Sequence, residues 1–292
     1  AAVAEAQVAL SDHRAHQVGE LAEDRISDQM PVVVVDRLEA VDIDERDVQL
    51  LPRPQALLDQ LVTATRILVH EGVMDVFGHV ALRDPSDPGV FWLARAGAPA
   101  RLTAGDLLPF DLDGAPLEPT DATLFSERFI HAAVFRADAT AQASVHHHAA
   151  ALMPYCMGGR PLVALSQTGA WMGAEVPLWD SRASFGDTNM LVTDMAQATD
   201  LAAALTPGRI VLMRGHGVLV TGTGPEDVVF RCIHACREAE TLTAALTLGP
   251  VTPLSEGEIA LAGTPAPAAV RRGWDHWTAR LPGDTTYRKG AQ

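Results

Sequence analysis

The segment AQASVHHHA, residues 141–149, places three consecutive histidines at the end of a small, apolar stretch. In a β-strand, successive side chains point to opposite faces of the sheet. His146 and His148 are therefore predicted to share one face, whereas His147 packs or hydrogen-bonds on the other. Two imidazoles on one face of a strand can bind a single metal ion. The segment predicts a strand with two metal ligands, although ordinary polar strand residues would give the same pattern.

A third candidate ligand, His216, lies between two glycines in the apolar stretch RIVLMRGHGVLVTG, residues 209–222. Glycine allows another group to approach the backbone closely, and an imidazole in apolar surroundings needs a polar partner. The alternative is a core histidine at a tight bend. We predict that His216 lies inside an apolar strand and completes the metal site.

Glu127 is the candidate acid or base. It lies some 20 residues before the histidines, in the first turn of a helix predicted over SERFIHAAVFRA, residues 126–137, with Ser126 as the N-cap. A carboxylate there can ligate a metal or transfer a proton, and a solvated glutamate at a helix start is the alternative. His131 is four residues further on, so it faces the same side and is expected to pack or hydrogen-bond behind the site.

Strand and helix patterns surround these residues. Helical periodicity over residues 55–72 is ended by Gly72. FGHVALRD and VFWLARAG, residues 77–84 and 90–97, are typical of strands, and residues 223–246 form a long helical pattern with Pro225 in its first turn. This order favours an α+β fold or an αβα three-layer sandwich.

The chain is predicted to have three segments. Residues 1–52 are rich in acidic residues and weakly patterned, and are interpreted as an N-terminal extension. Residues 53–250 would form the catalytic domain, and residues 251–292, rich in Pro, Gly and Ala, a C-terminal tail.

Bulk composition excludes several classes of protein. The 292 residues are 48% hydrophobic and carry a formal net charge of −15, which disfavours binding to nucleic acid or to an anionic membrane. No apolar run reaches the ~18 residues of a membrane-spanning helix. The three cysteines, Cys156, Cys232 and Cys236, are a poor count for a disulfide framework. We therefore predict a cytoplasmic enzyme.

Three segments together resemble the class II aldolase/adducin family over roughly residues 55–250. They are SERFIHAAVF (126–135), SVHHHA (144–149) and MRGHGVLVTGTGPEDVVFRCI (213–233). The resemblance implies an αβα sandwich with a mainly antiparallel central sheet, in a homotetramer with active sites at subunit interfaces. It also implies a divalent metal ion, Zn, Mn or Fe(II), held by three histidines that match His146, His148 and His216. Glu127 matches the acid/base glutamate of the family and is also a candidate ligand.

The chain departs from the sugar-phosphate aldolases of that family at the substrate. Where those enzymes have a Gly-Asn strand and small polar residues that hold a phosphate, this chain reads FGHVALR (77–83) and LARAGA (93–98). His79 and Arg95 suit a carboxylate better, since a guanidinium can pair with it bidentately. Arg83 is a third candidate, although a strand-end arginine before Asp84 is more typical of a surface pair. The predicted substrate is an aromatic or dienoic carboxylic acid.

Further segments, such as HHHAAALMPYC (146–156) and VPLWDSRASFGDTNMLV (176–192), are similar to one branch of the family. That branch contains decarboxylases of 3,4-dihydroxyphthalate and of carboxylated ring-cleavage products. The resemblance implies a lyase that decarboxylates its substrate through a metal-stabilised enolate. The alternatives are a non-heme Fe(II) oxygenase of a hydroxyphenylpyruvate- or hydroxymandelate-type acid, as in antibiotic biosynthesis, and a sugar-phosphate aldolase. An adducin-like structural role is disfavoured because the histidines and Glu127 are retained.

Overall fold

A computed structural model of the protein describes residues 53–205 and 208–282. The predicted extension over residues 1–52 lies outside the described residues, as do residues 283–292 of the predicted tail.

Seven strands form one sheet in the order β3-β2-β1-β4-β7-β6-β5. All neighbouring strands are antiparallel except β5 and β6, which are parallel. The strands are β1 (His79–Arg83), β2 (Val90–Ala94), β3 (Leu107–Asp111), β4 (Ala143–His147), β5 (Leu178–Trp179), β6 (Ile210–Met213) and β7 (Gly217–Gly222).

Helices cover both faces of this sheet. In β1, Val80 and Leu82 pack in one apolar cluster with residues of α1 and α6, whereas Ala81 between them packs in a second cluster with α2 and α5. The predicted αβα sandwich with a mainly antiparallel sheet is therefore confirmed. The helices are α1 (Gln55–His70), α2 (Arg128–Ala137), α3 (Met153–Cys156), α4 (Arg182–Phe185), α5 (Met195–Ala204), α6 (Pro225–Leu248), α7 (Glu256–Ala262) and α8 (Pro267–Arg280).

Residues beyond 250 continue the fold as far as the structure describes them. A capping box of Ser255 and Glu258 starts α7. Helix α8 packs against α6 and buries Trp274 and Trp277. The boundaries of the predicted domain and tail stay a prediction.

Strand β4 determines where the histidines lie. It is in the middle of the sheet between β1 and β7, and His146 is opposite His79 on one side and Leu219 on the other. The stretch around His216 was predicted to be one apolar strand, and this was wrong. It forms the hairpin of β6 and β7, and residues 214–216 make the turn. Gly215 has φ +67°, which glycine adopts without strain, and His216 lies in this turn at the end of the two strands.

The structure also shows whether any described helix could cross a membrane and whether the three cysteines are paired. Among the described helices, none combines the length and the apolar character needed to cross a bilayer. Cys156, Cys232 and Cys236 are buried and unpaired.

Candidate metal centre

Three imidazoles from two distant segments converge at one end of β4. The ring centroids of His146 and His148 are 4.7 Å apart, and those of His146 and His216 are 4.9 Å apart. The rings of His148 and His216 stack with centroids 5.1 Å apart. One ligand nitrogen from each residue lies within 4.8 Å of the others. This spacing lets all three contact one ion.

The hydrogen bond of His146 selects the tautomer that a metal requires. Its Nδ1 lies 3.1 Å from the carbonyl oxygen of Val218, so Nδ1–H donates and Nε2 keeps a lone pair. That Nε2 is buried and has no hydrogen-bond partner among the described residues. A buried acceptor without a partner is costly, and a divalent cation would satisfy it. The donor set therefore fits a metal ion.

Burial also keeps these imidazoles in the neutral form that binds metals. It lowers the pKa of His146 well below the ordinary value, with further lowering from the neighbouring His216. Burial, with a smaller contribution from His148, lowers the pKa of His216 to about 4. Both rings are neutral at pH 7, and a proton therefore does not compete with a cation for the site.

Glu127 faces two of the three imidazoles. Its Oε2 lies 3.6 Å from Nε2 of His146, and its Oε1 lies 3.5 Å from Nε2 of His216. Ser126 was predicted to cap α2, but Glu127 itself holds the N-cap position and its side chain makes no capping bond. The carboxylate is instead directed to the histidines and accepts a hydrogen bond from the backbone N–H of Val192, at 3.1 Å.

The surroundings of Glu127 suit it for proton transfer. Burial raises the pKa of its carboxyl to about 7, against the opposing effect of the Val192 N–H. A group with this pKa is populated in both protonation states near neutral pH, which favours general acid or base chemistry. The same two oxygens are placed to ligate a cation.

The neighbouring histidines have separate roles. His147 is fully buried, and its Nδ1 accepts a bond of 3.3 Å from the N–H of Ala149. His131 is also fully buried; its Nε2 lies 2.6 Å from Nδ1 of His79, and its Nδ1 lies 2.9 Å from Oγ of Ser144. His131 thus supports His79 from behind.

His79 and Arg95 line one pocket of about 340 Å³. The ring of His79 lies 5.3 Å from that of His146, so the pocket adjoins the metal centre. Phe125 and Arg101 contribute to the same wall. Arg95 is half-exposed, and Asp106 holds its guanidinium through Nε at 2.8 Å and Nη2 at 2.6 Å.

Arg83 does not join this group. It is buried at the other end of β1, about 13 Å along the strand from His79 at the usual rise per residue. Its guanidinium donates to four backbone carbonyls, those of Pro88, Phe135, Asp138 and Ala141. These bonds anchor the end of the strand to α2 and its following turn, which is a structural role.

Two parts of the chain that contact the site were not predicted from the sequence, one at Met190 and Val192 and one at Phe77. Met190 has φ +68°, rare for a residue other than glycine, and Val192 follows it with the N–H that binds Glu127. Phe77, two-thirds exposed, lies edge-on to His148 with ring centroids 6.2 Å apart. Every residue except proline has a backbone N–H, so the sequence does not indicate that the one of Val192 binds Glu127. Phe77 and Met190 lie close to the quoted motifs, and this position was the only signal for their contact with the site.

Gly217 leaves the space in which the imidazoles meet. A Cβ at this position would lie 2.6 Å from Cδ2 of His148 and 2.7 Å from the carbonyl oxygen of His147. We expect Gly217→Ala to push His148 aside and to weaken metal affinity by about 10–100-fold, the loss typical when the support of a ligand is disturbed. Metal titration of the purified variant measures this effect.

The matched control is Gly224→Ala, since a Cβ there meets open space and the backbone, at φ 169°, is extended. Wild-type metal affinity in both variants would show that the imidazoles do not depend on Gly217.

The model of the family described as class II aldolase and adducin N-terminal domain matches residues 59–243, more than half of the chain. Decarboxylase tropJ of Talaromyces stipitatus is 27% identical over 247 residues, which cover 75% of this chain and 92% of the relative. The 3,4-dihydroxyphthalate decarboxylase of Terrabacter sp. is 30% identical over 195 residues, covering 60% of this chain and 75% of the relative.

Solved structures give the same fold. L-fuculose 1-phosphate aldolase from Glaciozyma antarctica superposes with a TM-score of 0.65 at 23% identity, covering 77% of this chain and 88% of that one. At this identity the likeness extends to the fold alone.

Proposed function

The chain belongs to the class II aldolase and adducin family, and from that premise we propose that it is a divalent-metal-dependent decarboxylase of an aromatic or dienoic hydroxy-carboxylic acid. The observation that carries the proposal is the cluster of His146, His148 and His216 with the buried carboxyl of Glu127 against two of them. The two curated relatives, both named decarboxylases, support a lyase of this kind.

The three histidines would hold the ion, Zn, Mn or Fe(II), with Glu127 as a further candidate ligand. When bound, such an ion acts as a Lewis acid toward a substrate oxygen next to the departing carboxylate. Imidazole suits zinc and iron well. Either metal therefore agrees with the residues.

The residues of the chain would then carry the proton and hold the substrate. The bond between the substrate carbon and its carboxylate breaks, carbon dioxide leaves, and the electron pair stays on the carbon. Glu127 in its protonated form gives that carbon a proton and regains one from solvent. His79 and Arg95 would orient a carboxylate in the pocket beside the histidines, where Phe125 offers an aromatic wall.

Two alternative activities would use the same site. A sugar-phosphate aldolase would use the same electron sink, but the likeness to the solved aldolase concerns the fold alone. An Fe(II) oxygenase commonly uses two histidines and one carboxylate, whereas here a third histidine joins the set. A homotetramer in the cytoplasm, with no nucleic-acid or membrane partner, completes the proposal.

Arg95→Ala is expected to weaken binding of hydroxylated aromatic acids to the metal-loaded protein by about 10–100-fold, with unchanged metal content. Losing a hydrogen-bonded contact to a charged group costs about 1.5–3 kcal/mol. The variant would also remove the ion pair of Asp106, whose carboxylate keeps its two hydrogen bonds from Thr103. Calorimetric titration with a panel of hydroxylated benzoates and one sugar phosphate measures the effect.

Arg160→Ala is the control, because that arginine is exposed and does not line the pocket of His79 and Arg95. Tight binding of the sugar phosphate, with no binding of aromatic acids, would contradict the proposal and indicate a sugar-phosphate aldolase.

A further inference from the structure

A second pocket, of about 460 Å³, lies between α6 and α8. Its walls are aromatic: Trp171, Phe230 and Trp277 all line it. It shares no lining residue with the metal centre or with the pocket of His79. Its volume falls in the range of pockets that hold small organic ligands. The chemistry of its lining indicates which ligand.

Two hydrogen-bond donors in this lining have no acceptor. Trp171 and Trp277 are only 6% and 3% exposed, and the Nε1 of each is buried without a hydrogen-bond partner among the described residues. An indole N–H can only donate, and leaving such a donor unpaired in the interior is unfavourable. Each Nε1 is enclosed by protein even with the pocket empty, so a ligand in the pocket meets the rings of these indoles and not their N–H groups.

The charge of the lining has the opposite sign to that of the chain. The chain carries −15, yet the lining residues include Arg237 and Arg272 and no aspartate or glutamate. Burial lowers the pKa of His234, a further lining residue, to about 4, so at pH 7 the positive charge comes from the arginines. Glu71, outside the lining, is 3.7 Å from Arg237 and is held at 2.8 Å by Arg280.

The walls of the pocket are built before any ligand arrives. A Cβ at Gly273 would lie 2.8 Å from Cζ3 of Trp277, so glycine lets this indole pack close to the backbone of its own helix. Buried Glu238 of α6 accepts hydrogen bonds from the backbone N–H of Leu165, from the N–H of Ser166 at 2.8 Å and from the Ser166 hydroxyl at 2.5 Å. These bonds fix the loop that carries the pocket residues Gln167 and Thr168.

We infer that the pocket between α6 and α8 binds a small organic anion with a flat apolar body, such as an aromatic carboxylate. The carboxylate pairs with Arg237 and Arg272, and the ring packs against Phe230 and Trp277. This binding is separate from the metal centre and does not depend on the activity proposed for it.

Benzoate is the probe, and benzyl alcohol and acetate are its matched comparisons, since one lacks the charge and the other the ring. Calorimetric titration is carried out on the full chain with the His146→Ala substitution, so that binding at the metal centre does not contribute. Saturable binding of benzoate is expected, with the two comparison compounds at least about tenfold weaker. Arg237→Gln and Arg272→Gln, which each keep a polar side chain and remove its charge, should each weaken benzoate by about tenfold.

Arg160→Gln is the control and should leave benzoate binding unchanged. Equal affinity for benzoate in Arg237→Gln, Arg272→Gln and the unsubstituted pocket would overturn the inference. So would the absence of saturable binding at millimolar benzoate. If benzoate fails to bind and Arg272→Gln changes the molar mass in light scattering, the pocket is a contact between copies of the chain.

Discussion

Replacement of His146, His148 or His216 by alanine is expected to remove the bound metal and to reduce decarboxylation to background. Each change takes one of three nitrogens from a cluster whose ligand atoms lie within 4.8 Å of one another. Two imidazoles alone leave a binding site without the third protein ligand that catalytic metal sites usually have. Metal analysis of each purified variant, together with circular dichroism to verify folding, measures the result.

His147→Ala is the matched control because His147 is adjacent in the chain and equally buried, but binds the N–H of Ala149 rather than facing the cluster. We expect the metal to remain and stability to fall. Loss of metal in this variant, with retention in His146→Ala and His148→Ala, would mean that the alternation of side chains along β4 is assigned the wrong way round.

Glu127→Gln is expected to lower turnover by about 10²–10⁴, the usual contribution of a general acid or base. The amide keeps the shape of the side chain but cannot transfer the proton. If Glu127 is not a ligand during turnover, metal content and substrate affinity should change little. Rates of carbon dioxide release in single-turnover experiments, with metal content measured on the same sample, test both statements.

Glu175→Gln serves as the control, since that glutamate is exposed and its backbone forms an isolated bridge with Val163. A variant Glu127→Gln with near-normal turnover would assign the proton to water or to another residue. Loss of metal from the same variant would instead make Glu127 a ligand.

The alternation of side chains in a strand was enough to predict which histidines of the triplet share a face. The period is a local property of the backbone, and the structure places His146 and His148 together accordingly. The helices α1 and α6 could also be predicted from the sequence, because Gly72 and Pro225 are strong local signals for where a helix ends or begins. The order of these elements favoured either an α+β fold or a three-layer sandwich, and the resemblance to the family implied the sandwich.

Contacts between distant segments could not be predicted from the sequence in this way. Arg83 was considered for the substrate, but its donors are used by four carbonyls, three of them on segments more than 50 residues away. No local pattern encodes such bonds. The Val192 N–H on Glu127 also depends on packing between elements, as does the burial of the Trp171 and Trp277 indoles, whose N–H groups have no partner among the described residues.

The most direct test of the central claim is an anaerobic assay of decarboxylation. The metal-free protein is reconstituted with Zn, Mn or Fe(II) and supplied with hydroxylated aromatic acids, beginning with 3,4-dihydroxyphthalate. Carbon dioxide release and oxygen uptake are then measured. The proposed function predicts release of carbon dioxide in step with substrate loss, without oxygen and only with metal. Turnover that requires both Fe(II) and oxygen, with oxygen consumed, would contradict it and identify an oxygenase.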